Sequence, residues 1–165
     1  MTDSTYGISA PRMSRPIDPF GRFIGTWEVS GDRAGTLTYE WLPGGYFILE
    51  RVSLSQNGHP LAGVALIGQT RGWRGAPSPD IRSRFYDSDG NAIDYVQELN
   101  GDRFTIWVEN KGSDPAFEGK FSDDPLTLAG TWYYPGGSDC HTVATKVSDV
   151  AAPPEALDFF GPPGR

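Results

Sequence analysis

Turn-forming residues interrupt this chain at short, regular intervals, and this spacing constrains the fold more than any other feature. The turns are GDRAG, PGG, QNGHP, DSDGN, NGD, NKGSDP, SDDP and PGGSD. Between them lie ten segments of alternating apolar and polar residues: 25–31, 35–42, 46–54, 61–69, 81–87, 92–99, 103–109, 116–122, 126–134 and 140–148. Such alternation is typical of β-strands with one buried face. The 21 glycines and 14 prolines argue strongly against a helical bundle, because helix interiors tolerate neither residue.

Ten consecutive strands without an intervening helical stretch predict an all-β, antiparallel meander. The clearest hairpin is at Asn100-Gly101, which separates two alternating runs and suits a tight turn that needs positive φ. A meander of this length protects its edges best by closing on itself. We therefore expect a closed antiparallel β-barrel of about ten strands, with a short helical segment at 18–23 that plugs one end.

A chain of 165 residues is long enough for one domain. We expect residues 1–19 to form a flexible N-terminal arm, residues 20–150 the barrel, and residues 151–165 a proline-rich tail. The tail contains Phe159 and Phe160, which could dock it onto the body or onto a neighbouring chain. A homodimer is therefore left open as an option.

The charge balance narrows the range of partners. The chain has 14 basic and 21 acidic residues, a net charge of −7, which argues against binding to nucleic acid or to anionic membranes. It has no apolar window long enough to span a membrane, and its N-terminus lacks the apolar core of a secretory signal. With Cys140 as the single cysteine there is no intrachain disulfide, and we expect a cytoplasmic protein.

A barrel of this strand number either fills with side chains or encloses one small ligand. Aromatic walls with a few polar groups are the usual lining of a small-molecule site. We expect the following ligand-binding residues on the inner face: Tyr39, Trp41, Glu50, Arg84, Tyr95, Gln97, Trp132 and His141. The alternative is a barrel whose aromatic side chains simply fill the core.

Glu50 is the most informative of these residues, and the alternation allows two orientations for it. In one, Glu50 faces inward together with Tyr46, Ile48, Val52 and Leu54. In the other, Phe47, Leu49, Arg51 and Ser53 face inward and Glu50 is solvated. An internal carboxylate is costly unless it is paired or protonated, and desolvation would raise its pKa toward neutrality. Arg84 or Arg82 could pair with it across the cavity.

The opening block, PFGRFIGTWEVSG, resembles the G-x-W start of the calycin superfamily of lipocalins and fatty-acid-binding proteins. Four later blocks look closer to a bacterial calycin-like family of unknown function: YEWLPGGYFILERV, GVALIGQ, RSRFYDSDGN and FEGKFSDDPLTLAGTWYYPGG. The five blocks follow one another in order over residues 20–135. The resemblance implies a ten-stranded barrel with one internal cavity, and it implies that Trp27 packs at the closed end. It implies no activity, because such barrels host many unrelated ligands.

The last strand suggests a haem-binding alternative. The segment DCHTVATKV is loosely similar to the last strand of the nitrobindins, which bind haem through a histidine, and the resemblance implies His141 as that ligand. A lone histidine that shares a face with Val143 and Val147 is more commonly a hydrogen-bonded core residue. Adjacent Cys140 and His141 point to opposite faces of a strand, so we expect no metal site and no cofactor.

The sequence therefore predicts the binding of a small hydrophobic or aromatic molecule in the barrel. The first alternative is a cofactor-free cyclase, isomerase or lyase that acts on a hydrophobic metabolite, in which Glu50, Tyr95 or His141 moves a proton. The second is haem binding at His141. A titratable acid or histidine inside the cavity favours an enzyme, and a purely apolar lining favours a binding protein.

Overall fold

The computed structural model describes residues 14–153 of the chain. The fold is all-β, with 57% of residues in strands, which confirms the closed ten-stranded antiparallel barrel. One 3-10 helix, Asp18–Phe23, precedes the strands. The strands are β1 Gly25–Gly31, β2 Ala34–Trp41, β3 Phe47–Gln56, β4 His59–Gly68, β5 Ile81–Asp87, β6 Ala92–Asn100, β7 Arg103–Val108, β8 Pro115–Ser122, β9 Thr127–Trp132 and β10 Cys140–Ser148. No helix in the described residues is long and apolar enough to cross a membrane.

The first and last strands close the sheet. Each strand pairs antiparallel with its sequence neighbours, and β1 also pairs with β10. Val29 on β1 lies opposite Ala144 on β10 and opposite Gly35 on β2. Successive side chains of a strand point to opposite faces, so closure divides the ten strands into an inner and an outer set of residues.

Aromatic rings close one end of the barrel, next to the 3-10 helix. The ring of Phe23, on this helix, lies 5.2 Å from Tyr39, 4.9 Å from Phe104 and 5.3 Å from Phe121, measured between centroids. Trp27 is 1% exposed, and its indole N–H donates to the Phe23 carbonyl oxygen at 2.7 Å. Edge-to-face and tilted ring contacts add stabilisation beyond the area that they bury. The helix and these rings form the floor of the barrel.

The last residues of the predicted N-terminal arm pack against the barrel. Ile17 is 2% exposed, and the Arg15 guanidinium donates to the Gly44 carbonyl oxygen at 2.6 Å and lies 3.6 Å from the centre of the Tyr46 ring. Residues 15–19 therefore belong to the body, because the apolar side chain of Ile17 fills space beside the floor. Residues 1–13 lie outside the described part of the chain.

The first residues of the predicted C-terminal tail contact the barrel. The Ala152 amide donates to the Thr26 hydroxyl oxygen at 2.9 Å, and that hydroxyl donates to the Val150 carbonyl oxygen at 2.7 Å. The segment after β10 is thus attached to the start of β1. Phe159 and Phe160 lie outside the described residues.

Two facing glycines allow an aromatic ring to lie flat against the inner sheet surface. Gly119 on β8 is directly opposite Gly130 on β9, and the Phe117 ring covers both. A Cβ added at Gly130 would lie 2.3 Å from the Phe117 ring and 2.6 Å from the Glu118 carbonyl oxygen. The Phe117 ring in turn packs against the Trp132 ring, with 5.0 Å between the ring centroids. Small residues here determine where the aromatic wall lies.

We expect Gly130→Ala to destabilise the protein by about 1–3 kcal/mol, because the methyl group overlaps both a ring and a backbone oxygen. Urea unfolding followed by tryptophan fluorescence measures the change. Gly72→Ala is the matched control, since a Cβ at Gly72 meets nothing within 4 Å. Equal stability of the two variants would contradict this description of the wall.

Candidate functional site

The barrel interior above the aromatic floor is a cavity of about 410 Å³. Most of its surface is apolar and is formed by residues that include Val29, Leu37, Val52, Ile67, Phe85 and Ile106. The polar groups that reach it include Arg33, Tyr39, Glu50, Ser83, Tyr95 and Gln97. The end opposite the 3-10 helix, where Arg33, Asp87, Tyr133 and Tyr134 line the cavity, is here called the mouth. This combination of size and lining is typical of small-molecule sites.

Glu50 faces the cavity, which is the first of the two orientations that the sequence left open. It lies on the same face of β3 as Ile48 and Val52, which are 0% and 6% exposed. Arg51 points outward, where it forms an ion pair with Glu40 on β2. The opposite orientation would bury the Arg51 guanidinium and remove it from this partner, which is energetically unfavourable.

A tyrosine hydroxyl holds the Glu50 carboxylate that faces the cavity. Tyr39 is directly opposite Glu50 in the pairing of β2 with β3, and its hydroxyl donates to Glu50 Oε1 at 2.9 Å. Within the described residues, this is the hydrogen bond that Glu50 accepts. The other carboxylate oxygen is therefore free to meet a guest in the cavity.

Burial sets the protonation of this pair. Desolvation raises the pKa of Glu50 from 4.5 to about 7, against the opposing effect of the Tyr39 hydrogen bond, which lowers it. Burial raises the pKa of Tyr39 well above its ordinary value, and the charge of Glu50 raises it further. Tyr39 therefore stays protonated and remains the donor, while Glu50 gains and loses its proton near neutral pH.

Tyr95 adds a second hydroxyl to the same space. Its ring packs edge-on against the Trp132 ring, with 6.4 Å between the ring centroids. Burial, together with the nearby Tyr134 and Glu50, raises the pKa of Tyr95 to about 12. The hydroxyl forms no hydrogen bond with any residue in 14–153, so it can bind a polar atom of a guest.

Gln97 and Ser83 form a hydrogen-bonded polar pair in the wall. The Gln97 side-chain amide donates to the Ser83 hydroxyl oxygen at 2.9 Å, and the two residues are 7% and 5% exposed. Gln97 is one of the residues predicted from the sequence, whereas Ser83 and Arg33 are not. The alternation of Ser83 with Ile81 and Phe85 was a usable signal for the first, whereas Arg33 lies in a turn, where alternation gives no direction.

The structure brings together five of the eight predicted ligand-binding residues at the cavity surface: Tyr39, Glu50, Tyr95, Gln97 and Trp132. It does not bring the other three there. Trp41 packs at the closed end, where its indole lies 3.6 Å from the Cβ position of Gly21. It is therefore absent from the cavity lining, and its predicted position there is wrong.

Arg84 is on the outer face, so its predicted position in the cavity is also wrong. It forms two hydrogen bonds with the Asp94 carboxylate, at 2.7 and 2.9 Å, on the neighbouring strand β6. Arg82 donates to the Ser78 hydroxyl and to the Glu109 carbonyl oxygen. Neither arginine pairs with Glu50, since solvent-facing partners are available to both.

The prediction that His141 faces inward is wrong because of the register between β9 and β10. Cys140 lies opposite the inward-facing Trp132 and is 1% exposed, so the next residue, His141, must point outward. Its Nδ1 lies 2.9 Å from the Thr131 hydroxyl oxygen. The apolar residues that suggested an inner face, Val143 and Val147, are 40% and 51% exposed.

The haem hypothesis consequently loses its proposed ligand. His141 lies outside the barrel. His59, at the start of β4, is also exposed, and its side chain lies near that of Asp89. Within residues 14–153, no group of three or more His, Cys, Asp or Glu side chains is placed to hold a metal ion.

Comparison with models of known protein families gives no match, and comparison with curated proteins gives no significant one. The function must therefore be argued from the cavity itself.

We expect the stability of Glu50→Gln relative to the wild type to rise with pH. The folded protein holds the Glu50 proton up to about pH 7, whereas the unfolded chain loses it near 4.5, so wild-type folding weakens between these two values. The gain of the variant should grow across this window to at most about 3 kcal/mol and then level off.

Urea unfolding at about pH 4, 6 and 8 measures this difference. Glu28→Gln, which removes an exposed carboxylate from β1, is the control and should show no such trend. A pH-independent difference between Glu50→Gln and the wild type would contradict the desolvation of Glu50.

Proposed function

We propose that this protein binds a small, largely aromatic or apolar molecule in the barrel cavity, with one polar group of the guest on Glu50. The observation that carries the proposal is a carboxylate with a free oxygen inside a cavity of about 410 Å³ that is otherwise walled by apolar and aromatic side chains. A core that only stabilises the fold would not be expected to contain a carboxylate with an unpaired oxygen, because burying such a group is energetically costly.

The lining favours a particular guest. Trp132, Phe117 and Phe85 supply flat apolar surface, and burial of an apolar guest gains about 25 cal/mol for each Å² removed from water. The Tyr95 hydroxyl and the Glu50 carboxyl supply polar contacts at fixed places. A compact ring system with an N–H or O–H group matches both features.

We also propose that the protein is a calycin-like binding protein of the cytoplasm, which its net charge and its cysteine content support. The net charge of −7 disfavours nucleic acid as a partner. The thiol of Cys140 is buried and unpaired, as is usual in a reducing compartment.

We expect N-phenyl-1-naphthylamine, a neutral aromatic amine that becomes fluorescent in apolar surroundings, to bind in the cavity. Thr142→Trp should abolish most of the signal, because Thr142 lines the cavity and the larger side chain fills it. Val143→Trp is the matched control, since Val143 is adjacent but points outward and is 40% exposed.

A fluorescence titration with each variant measures the effect. The proposal predicts saturable binding to the wild type and to Val143→Trp. Absence of binding to the wild type, or equal binding to Thr142→Trp, would overturn it.

A titratable acid inside the cavity is the feature that favours an enzyme, so the second candidate function is proton transfer to or from the bound guest, as in a cofactor-free isomerase, cyclase or lyase. Binding is proposed first because any such reaction requires it. The observation that favours it is the pKa of Glu50, about 7, because an acid or base works best near the ambient pH. In such a reaction Glu50 would take a proton from carbon, and the Tyr95 hydroxyl would donate a hydrogen bond to the oxygen that becomes negative.

The ring opening of 5-nitrobenzisoxazole provides a substrate-independent test of this candidate. A base removes the C3 proton, the C–H electron pair forms the third C–N bond of a nitrile, and the N–O bond breaks with its electron pair going to the phenolate oxygen. We expect the wild type to catalyse this reaction faster than free acetate does at equal concentration. The rate should rise with pH, and the midpoint of the rise should lie at about pH 7.

Absorbance of the nitrophenolate product follows the reaction. Glu50→Gln should lose at least about 90% of the rate, while Glu28→Gln should keep it, because Glu50 lines the cavity and Glu28 is exposed on the outer face of β1. A wild-type rate no higher than that of acetate, or one retained by Glu50→Gln, would leave binding as the better-supported function.

A further inference from the structure

Arg33 is a cation at the mouth of an otherwise largely apolar cavity. It lies in the turn between β1 and β2, and it belongs to the cavity lining. Its Nε donates to the Gln56 side-chain oxygen at 3.1 Å, and its Nη2 donates to the Tyr134 hydroxyl. Contacts from β3 and from the segment after β9 thus hold the guanidinium on the rim.

Within residues 14–153, no carboxylate forms an ion pair with this guanidinium. Arg22, Arg51 and Arg84 each have a carboxylate oxygen within 4.0 Å, whereas Arg33 has none among the residues described. The adjacent Asp32 accepts a hydrogen bond from the backbone amide of His141 at 2.8 Å.

One edge of the Arg33 guanidinium is also unoccupied. Its Nη1 donates to no acceptor in residues 14–153, since its two hydrogen bonds use Nε and Nη2. A guanidinium presents its N–H groups in a planar fork that matches an oxyanion. The neutral partners Gln56 and Tyr134 orient the fork without cancelling its charge.

Arg33 and Glu50 act on the same space. Both influence Tyr95 electrostatically: the charge of Arg33 lowers the pKa of the phenol, and the charge of Glu50 raises it. Arg33 lies at the mouth and Glu50 lies beside Tyr39, whose ring contacts the floor residue Phe23. Arg33 and Glu50 therefore place polar groups both at the mouth and toward the floor of the cavity.

We propose that the guest is an organic anion, whose oxyanion group binds Arg33 at the mouth while its aromatic or apolar body extends toward Glu50. A single negative charge is preferred, because Asp87 at the mouth and Glu50 inside both disfavour a second one. Asp87 itself accepts hydrogen bonds from the amides of Asp89 and Asn91, which keep its carboxylate on its own turn. This inference rests on the proposed binding function and names the class of ligand for that site.

Two probes with one aromatic frame test the inference. N-Phenyl-1-naphthylamine is neutral, and 8-anilinonaphthalene-1-sulfonate is the same frame with a sulfonate. We expect Arg33→Gln to raise the Kd of the sulfonate about tenfold or more, because an oxyanion loses its charged donor. The Kd of the neutral amine should stay within about twofold, and Arg33→Lys should restore most of the sulfonate affinity.

Arg51→Gln is the matched control. It changes the net charge by the same amount but removes a guanidinium from the outer face, so neither Kd should change by more than about twofold. The wild type gives an independent measurement that needs no variant: added NaCl should weaken binding of the sulfonate and leave binding of the neutral amine unchanged.

Each outcome supports or overturns the inference. An equal loss for both probes in Arg33→Gln would mean that Arg33 only braces the mouth through Gln56 and Tyr134. Unchanged affinity for both, or a salt-independent sulfonate Kd, would mean that it binds no anion. In these cases the neutral amine still binds and Thr142→Trp still excludes it, so the proposed function survives. If neither probe binds the wild type, the proposed function fails and this inference fails with it.

Discussion

The pairing of β1 with β10 is the constraint on which the rest of this structure depends. Closure gives the sheet an inside, and side-chain alternation then assigns each strand residue to the cavity or to solvent. One shift of register in β3 would exchange Glu50 for Arg51. The site is therefore a consequence of topology, since its side chains come from strands far apart in the chain and meet only in a closed barrel.

The interior combines a rigid apolar container with a small number of costly polar groups. The floor formed by Phe23, Phe104 and Phe121 closes one end of the barrel with packed aromatic rings. Above it, Tyr39 offsets part of the cost of burying Glu50 through one hydrogen bond. Desolvation still dominates, so the carboxyl titrates near neutrality and reduces stability at high pH. A guest that hydrogen-bonds to it would recover part of this loss.

Alternation and turn chemistry were sufficient to predict all ten strands, the 3-10 helix and closure of the barrel. They could not decide whether Glu50 or Arg51 faces inward, because both faces of β3 carry apolar residues. They misplaced His141, since Val143 and Val147 make the solvent-facing side of β10 look like a core face. They gave no information on Arg33, whose position depends on contacts with Gln56 and Tyr134 from elsewhere in the fold.

The central claim is that Glu50 is a desolvated carboxyl group inside the cavity. Carbon-13 NMR of protein labelled at the glutamate side-chain carboxyl carbon, with the signal assigned by its loss in Glu50→Gln, tests it most directly. The structure predicts a titration midpoint of about 7 for this signal. It also predicts that the midpoint rises further in Tyr39→Phe, because the hydrogen bond that favours the charged form is lost. A midpoint near 4.5 in the wild type would contradict the account.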